Sequence, residues 1–280
     1  MDLRNKSFGK PDDKRLSPIL QLAGRAALEA GKVVRDLYGK PHDIRRKGNI
    51  DLVTEADTAA EVVILDILKA SSIQADFLAE ESSGLGSFAI PQGPTWVIDP
   101  LDGTTNFAHG FPWFGVSIGY MEKGKPMAGV IYCPMQDELF SAAAGCGAWL
   151  NNDPIKVSEA DALGISLMAT GFPYTIQEDA EAVMAALKAV LTKCQGVRRA
   201  GAAALDLAYV ACGRLDGFWE IQLKPWDTAA GQIILEEAGG KLTDFKGKGY
   251  SPFVQELLAT NSLIHAELVE VLGRFSVDEK

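Results

Sequence analysis

The chain has 280 residues, 47% apolar and 23% charged, enough to bury a large core as one domain or two lobes without disulfides. Its net charge of −10, from 27 basic and 37 acidic residues, argues against general binding to nucleic acid or to an anionic membrane. No apolar run reaches the roughly 20 residues that span a bilayer, and Cys133, Cys146, Cys194 and Cys212 show no CxxC or Cys/His spacing, as expected of reduced thiols in the cytoplasm.

Met1 to Ser17 is polar, mixed in charge and without an apolar core, so it reads as a tail rather than a signal peptide. Ile19 to Tyr38 repeats apolar residues at helical spacing until Gly39 and Pro41 end it. After the basic stretch Arg45-Arg46-Lys47, Thr54 reads as an N-cap with Asp57 three residues on as its acidic partner, opening a helix with Ala60, Val63, Ile64, Ile67 and Leu68 on one face. Phe77-Leu78-Ala79 and Trp96-Val97-Ile98 read as short buried strands, each running into a carboxylate. Gly115 to Met121, Met127 to Tyr132 and Glu138 to Ala143 read as antiparallel strands, and Asn151 to Pro154 as a turn. The second half alternates: a strand over Ile165 to Thr170, helices over Glu178 to Thr192 and Ala202 to Cys212, a strand at Phe218 to Glu220, and helices over Thr228 to Ala238 and Leu263 to Phe275. The expectation is one α/β unit of two lobes, residues 18–150 and 151–280.

Five acids stand at element ends: Asp57, Glu80, Asp99, Asp102 and Asp227. Taken singly, each has a plain reading: a helix cap for Asp57 and Asp227, a solvated loop for Glu80, an Asp-Gly turn for Asp102. Together they point to chemistry, because several carboxylates at buried strand ends are costly unless something neutralises them. Divalent cations would do so and would also give an acidic protein a positive field for an anion. An all-oxygen ligand set favours Mg²⁺, Mn²⁺ or Ca²⁺ over zinc, and His42, His109 and His265 are not paired at metal-ligand spacing. Asp99 and Asp102 are expected to bracket a tight turn with the Leu101 carbonyl between them. Gly103, Thr104 and Thr105 follow at a helix start, where exposed amides suit an anion.

These residues carry a resemblance. Trp96-Val97-Ile98-Asp99-Pro100-Leu101-Asp102-Gly103-Thr104-Thr105-Asn106-Phe107, then Trp226-Asp227-Thr228-Ala229-Ala230-Gly231 with Glu237-Ala238-Gly239-Gly240, match in order the signatures of the lithium-sensitive, magnesium-dependent inositol monophosphatase family. Asp51 to Asp57 and Ala79-Glu80-Glu81-Ser82 match too, and the resemblance runs from about Leu20 to Leu272. It implies a layered α-β-α-β-α sandwich and a homodimer. It implies two to three Mg²⁺ ions, with Mn²⁺ as a substitute: Glu80, Asp99 and the Leu101 carbonyl on the first, Asp99, Asp102 and Asp227 on the second, Glu80 helping a third. It implies phosphate on the Gly103 and Thr104 amides, and an Asp57–Thr104 pair positioning a metal-activated water for direct attack, with no phosphorylated intermediate.

The resemblance places substrate contacts in the second half. Glu220 aligns with the family's carboxylate that reads substrate hydroxyls, Asp102 can accept another hydroxyl, and Gly201-Ala202-Ala203-Ala204 forms a wall of small residues leaving room for a ring. Lys224 and Arg198 or Arg199 are candidate cations at the mouth, with surface residues the equal alternative, and Lys47 lies near the position of a basic active-site residue in relatives. Phe172-Pro173-Tyr174 resembles a segment of bacterial members; His109 reads as structural, and Trp113, Trp149 and Trp219 as core. The expected reaction is hydrolysis of myo-inositol-1-phosphate. Fructose-1,6-bisphosphate, histidinol phosphate and phosphoadenosine nucleotides are the alternative substrates, and a dimeric regulatory binding protein on the same fold is an alternative of another class.

Overall fold

The structure, a computed structural model, describes residues 14–40, 44–46, 52–84, 86 and 88–276. His42 and Lys47 lie outside the described residues. The first helix, α1 (Leu16–Leu37), starts inside the segment read as a tail, because Leu16 is fully buried against the core. A two-stranded hairpin follows, β1 (Ile44–Arg46) and β2 (Leu52–Thr54), then α2 (Glu55–Lys69).

A seven-stranded sheet holds β3 (Asp76–Ala79), β4 (Thr95–Asp102), β5 (Gly115–Glu122), β6 (Lys125–Cys133), β7 (Glu138–Ala143), β8 (Ala148–Leu150) and β9 (Asp153–Ile155) in sequence order. Only β3 and β4 run parallel; the other neighbours are antiparallel. The segment 151–154, read as a turn, therefore contains the start of an edge strand. Two short helices, α3 (Glu80–Ser83) and α4 (Thr104–Ala108), continue directly from the C-terminal ends of β3 and β4.

The five-stranded sheet has the order β11 (Gly196–Arg198), β10 (Leu167–Thr170), β12 (Gly217–Ile221), β14 (Glu256–Thr260), β13 (Lys241–Thr243). Here β10 is parallel to both neighbours. The strand expected from Ile165 begins at Leu167, because Ile165 ends a 3₁₀ turn over Leu163–Ile165, and β11, β13 and β14 are strands the periodicity did not single out. Between the two sheets lie α6 (Ala203–Ala211) and α7 (Pro225–Glu237); α1 and α2 cover the far face of the larger sheet, and α5 (Ile176–Leu191) and α8 (His265–Leu272) lie on the outer side of the smaller. The sandwich implied by the resemblance is the architecture found. No described helix is long and apolar enough to cross a membrane.

Strand alternation explains the layering. Val116, Ile118, Tyr120, Val130 and Tyr132 face α1 and α2, whereas Ile131 and Cys133 face the middle layer. On that second face the larger sheet also presents small residues to α7. A Cβ on Gly119 would lie 3.0 Å from Ala229 Cβ, and one on Gly129 would lie 2.6 Å from the Ala230 carbonyl oxygen. Gly231 is as tight against α6, where an added Cβ would meet Leu207 Cδ1 at 2.5 Å. The run Thr228-Ala229-Ala230-Gly231 is thus small because a helix is wedged between two layers, not because those side chains do chemistry. Of the three tryptophans read as core, Trp219 is buried; Trp113 and Trp149 are half-buried at the edge.

Candidate active site

The parallel register of β3 and β4 pairs Ala79 with Ile98. The next residues, Glu80 and Asp99, therefore emerge side by side at one edge of the sheet, where open α/β sheets hold ligands. Asp99 and Asp102 do not bracket a tight turn, as the sequence suggested. Both belong to β4, whose pairing with β5 shifts register between them. An irregularity of this kind re-aims side chains, and it carries Asp102 to the strand's last position. Gly103 follows with φ +95°, and a Cβ there would sit 3.0 Å from the Trp113 carbonyl oxygen. Both backbone sign and space demand glycine.

Asp227 arrives from the other half of the chain. The helix α7 starts three residues earlier than expected, with Pro225 in its first turn, so Asp227 is not an N-cap. It is the third helical residue, and one carboxylate oxygen accepts from the Lys224 amide at 2.7 Å. Thr54 and Asp57 form the expected capping box. Asp57 Oδ2 takes the Thr54 amide at 2.7 Å and the Thr54 hydroxyl at 2.6 Å, which leaves Oδ1 for Thr104 Oγ1 at 2.8 Å. Thr104 Oγ1 also lies 3.0 Å from the Leu101 carbonyl oxygen; its one proton goes to the carboxylate, the stronger acceptor.

Glu80, Asp99, Leu101, Asp102, Gly103, Thr104, Glu220 and Asp227 line one cleft of about 840 Å³. Two predicted site residues do not reach its wall. Asp57 is buried behind Thr104, and Ala204, expected to touch substrate, is fully buried. The Ala204 amide instead donates to Asp102 Oδ2 at 2.8 Å. Ala202, the N-cap of α6, offers no capping side chain, and Asp102 reaches across from β4 to do that work. Arg199 and Lys224 line the cleft and Arg198 does not; Arg199 lies over the Phe172 ring at 5.0 Å. His109 is an exposed residue ending α4.

The electrostatics explain what the cleft requires. Burial holds Asp99 well above the usual carboxylate range, and repulsion from Glu80, Asp102 and Asp227 adds to it, against the Leu101 amide. Burial pushes Asp102 up to about 7, opposed first by the Ala204 amide and reinforced by Glu80. Glu220 is pushed up to about 8 by burial, against the Arg199 charge. Four mutually repelling, all-oxygen acids suit hard divalent cations by charge and donor type. Among the described residues no three acids stand in ready ligand geometry.

Two residues here escaped the sequence reading. Asp206 on α6 lines the same cleft, nearly wholly buried, and among the described residues its Oδ1 has no hydrogen-bond partner. Burial, then Glu220 and Asp102, hold it well above the usual carboxylate range. Its signal was available, for it is the only charge in Ala202 to Cys212. Asn106 is the other. Its Nδ2 lies 2.7 Å from the Trp113 carbonyl, 2.8 Å from that of Ala200 and 3.3 Å from that of Gly201, tying α4 to the loop that opens α6.

The sequence pattern of the inositol monophosphatase family matches residues 15–274. An inositol-1-monophosphatase of Synechocystis is 44% identical over 274 residues, covering 98% of this chain and 94% of that protein. The Nus factor SuhB of Escherichia coli is 44% identical over 234 residues, 83% of this chain and 87% of its own. The crystal structure of extragenic suppressor protein suhB from Bartonella henselae superposes with a TM-score of 0.86 at 40% identity, covering 91% of this chain and 98% of that one. The inositol monophosphatase of Anabaena (Nostoc) gives 0.83 at 45% identity, covering 93% and 97%. With the fold, the acidic cleft and these likenesses in agreement, the chain belongs to the inositol monophosphatase family and is a phosphatase acting on phosphate monoesters.

Proposed function

We propose that the chain hydrolyses the phosphate monoester of a small polyol, myo-inositol-1-phosphate first, by direct attack of water. The observation that carries this reading is the cleft lined together by Glu80, Asp99, Asp102, Asp227, Thr104 and Glu220, with Asp57 hydrogen-bonded to Thr104 behind its wall. Glu80, Asp99, the Leu101 carbonyl, Asp102 and Asp227 are the groups that would hold two to three Mg²⁺ ions, or Mn²⁺ in their place. Such ions neutralise the phosphoryl oxygens and make water more acidic.

The chain's own groups divide the remaining work. First-turn amides of a helix have no intrahelical acceptor, so those of Gly103 and Thr104 are available to phosphate oxygens. The Thr104 hydroxyl gives its proton to Asp57 Oδ1 and keeps its lone pairs for a proton of the attacking water. Asp57 is held in place because its other oxygen is already taken by Thr54. A bond forms between the water oxygen and phosphorus while the ester bond opposite it breaks; the water's proton passes by way of the Thr104 hydroxyl to Asp57, and the leaving alkoxide takes up a proton from solvent. No cysteine or histidine lines the cleft among the described residues, which supports attack by water over a covalent intermediate. Glu220 accepts hydroxyl hydrogens and disfavours a second phosphate, which ranks a neutral polyol above a bisphosphate.

The reading includes a homodimer working in the cytoplasm, inhibited by lithium, with no general affinity for nucleic acid. The relatives named Nus factor SuhB support the alternative of a regulatory binding protein on this fold, although here the acidic cleft keeps every residue a phosphatase would use. A panel of phosphate esters with magnesium tests the choice. The expected result is the highest kcat/KM for myo-inositol-1-phosphate and loss of activity in lithium. A higher value for another ester overturns the substrate, and no turnover of any ester favours the binding protein.

A further inference from the structure

The residue after β10 is Gly171, and Glu220 stands on the parallel strand β12. The register, Met168 with Gly217, Ala169 with Phe218 and Thr170 with Trp219, makes Gly171 and Glu220 neighbours at the strand ends. A Cβ built on Gly171 would fall into the Glu220 carboxylate: Oε2, Cδ and Oε1 are its three nearest atoms, all under 3.0 Å. Gly171 is not among the residues with positive φ, so backbone conformation does not require glycine there. What an added methyl would displace is the far end of the Glu220 side chain.

The Glu220 carboxylate has little else to hold it. Among the described residues it forms no hydrogen bond, and Arg199 supplies the only nearby positive charge acting on it. Behind the pair lies a cavity of about 30 Å³, walled largely by Ala182, Val183, Ala186 and Trp219, with no cation in its lining. A carboxylate pushed that way meets largely apolar walls and no cation. One pushed the other way enters the cleft where the alcohol must sit.

We propose that Gly171 is a specificity-determining position: by presenting no side chain it leaves the space in which the Glu220 carboxylate lies, and so fixes where the hydroxyls of the substrate alcohol are accepted. This rests on the reading of Glu220 as the hydroxyl acceptor. Gly171 acts through Glu220 and touches no reacting atom, so it is a positioning residue.

The test compares two esters on the full chain supplied with magnesium: myo-inositol-1-phosphate, and 4-nitrophenyl phosphate, whose alcohol side carries no hydroxyl for Glu220 to hold. Gly171→Ala is expected to lower kcat/KM for the inositol ester roughly 10–100-fold, mainly through KM, and to leave the aryl ester within about two-fold. Glu220→Gln shows the same selectivity, and adding Gly171→Ala to it costs nothing more, as for two residues acting through one group. Gly164→Ala, where a methyl meets nothing within 4 Å, changes neither activity. Equal losses on both esters, or additive losses in the double variant, overturn the role of Gly171. Loss in Glu220→Gln without loss in Gly171→Ala overturns it alone, leaving the Glu220 reading standing. Full activity of Glu220→Gln on both esters overturns both. Should Gly171→Ala not fold, pairing it with Glu220→Ala removes the atoms the methyl meets and restores a folded protein; failure to restore it overturns the proposal.

Discussion

Each large sheet brings one parallel strand pair to the cleft, and the two pairs are furnished in opposite ways. The β3–β4 pair ends in Glu80 and Asp99, two acids side by side, with Asp102 beyond them. The β10–β12 pair ends in Gly171 and Glu220, one acid beside an empty place. The first arrangement stores repulsion that a cation relieves. The second stores space that keeps one carboxylate still. The same topology thus yields a charge trap at one strand pair and a shape-defined acceptor at the other, and the difference lies in one residue per pair.

The sharpest way to break that contrast is at the charged end. Asp99→Asn is expected to lower kcat by about 10³, or about 4 kcal/mol of transition-state stabilisation. The same change should raise the melting temperature in chelator, because it removes an acid whose ionisation is opposed by burial and by three neighbouring acids. Kinetics with magnesium and thermal unfolding in EDTA read the two opposite signs, and a fall in both contradicts the account. Next, Thr104→Val should cost roughly 10² in kcat, since it breaks the link to Asp57, while Thr104→Ser keeps most of the rate.

A smaller effect is expected with pH. Asp102 and Glu220 titrate near 7 and near 8 in the folded chain, against about 4 when unfolded. Between those limits the native state binds more protons than the unfolded one, so without cations stability falls as pH rises from about 4 to about 8, with Asp99 and Asp206, raised by burial, adding in the same direction. Magnesium should flatten that slope; a stability that climbs over this range in EDTA refutes it. Smallest, Asn106→Asp replaces a donor by an acceptor facing three carbonyls and should cost about 1–3 kcal/mol in denaturant unfolding. Because Asn106 joins the charged end to the loop opening α6, KM for the inositol ester should rise with it.

The parts of this molecule legible in sequence are those written locally. The capping box at Thr54 and Asp57 follows from three-residue spacing, and the acids at the ends of β3 and β4 stand directly after short apolar runs. What depends on pairing across the chain was hidden. The parallel register that sets Glu80 beside Asp99 has no local mark. Nothing near Asp102 shows that it caps a helix 102 positions away, so Ala204 was assigned to substrate when its amide is already used. The start of α7 was set three residues late because Lys224-Pro225 breaks the apolar pattern, although proline is at home in a first helical turn. The tightness of Gly171 is invisible for the same reason: its neighbour is 49 residues on and comes beside it only when two strands align.

The closeness of the middle layer has a consequence for changing this enzyme. Gly129 leaves no room for an added methyl against the α7 backbone, and Gly119 and Gly231 leave little against α7 and α6; α7 carries Asp227. Variation there shifts the helix and the carboxylate together. The rim is different, with Tyr174 well exposed and Phe172 and Lys224 only partly covered at the same cleft. A search for new ester preferences therefore has its freedom at the mouth, while the layer beneath acts as a fixed mount on which one misplaced carbon is felt at the catalytic end.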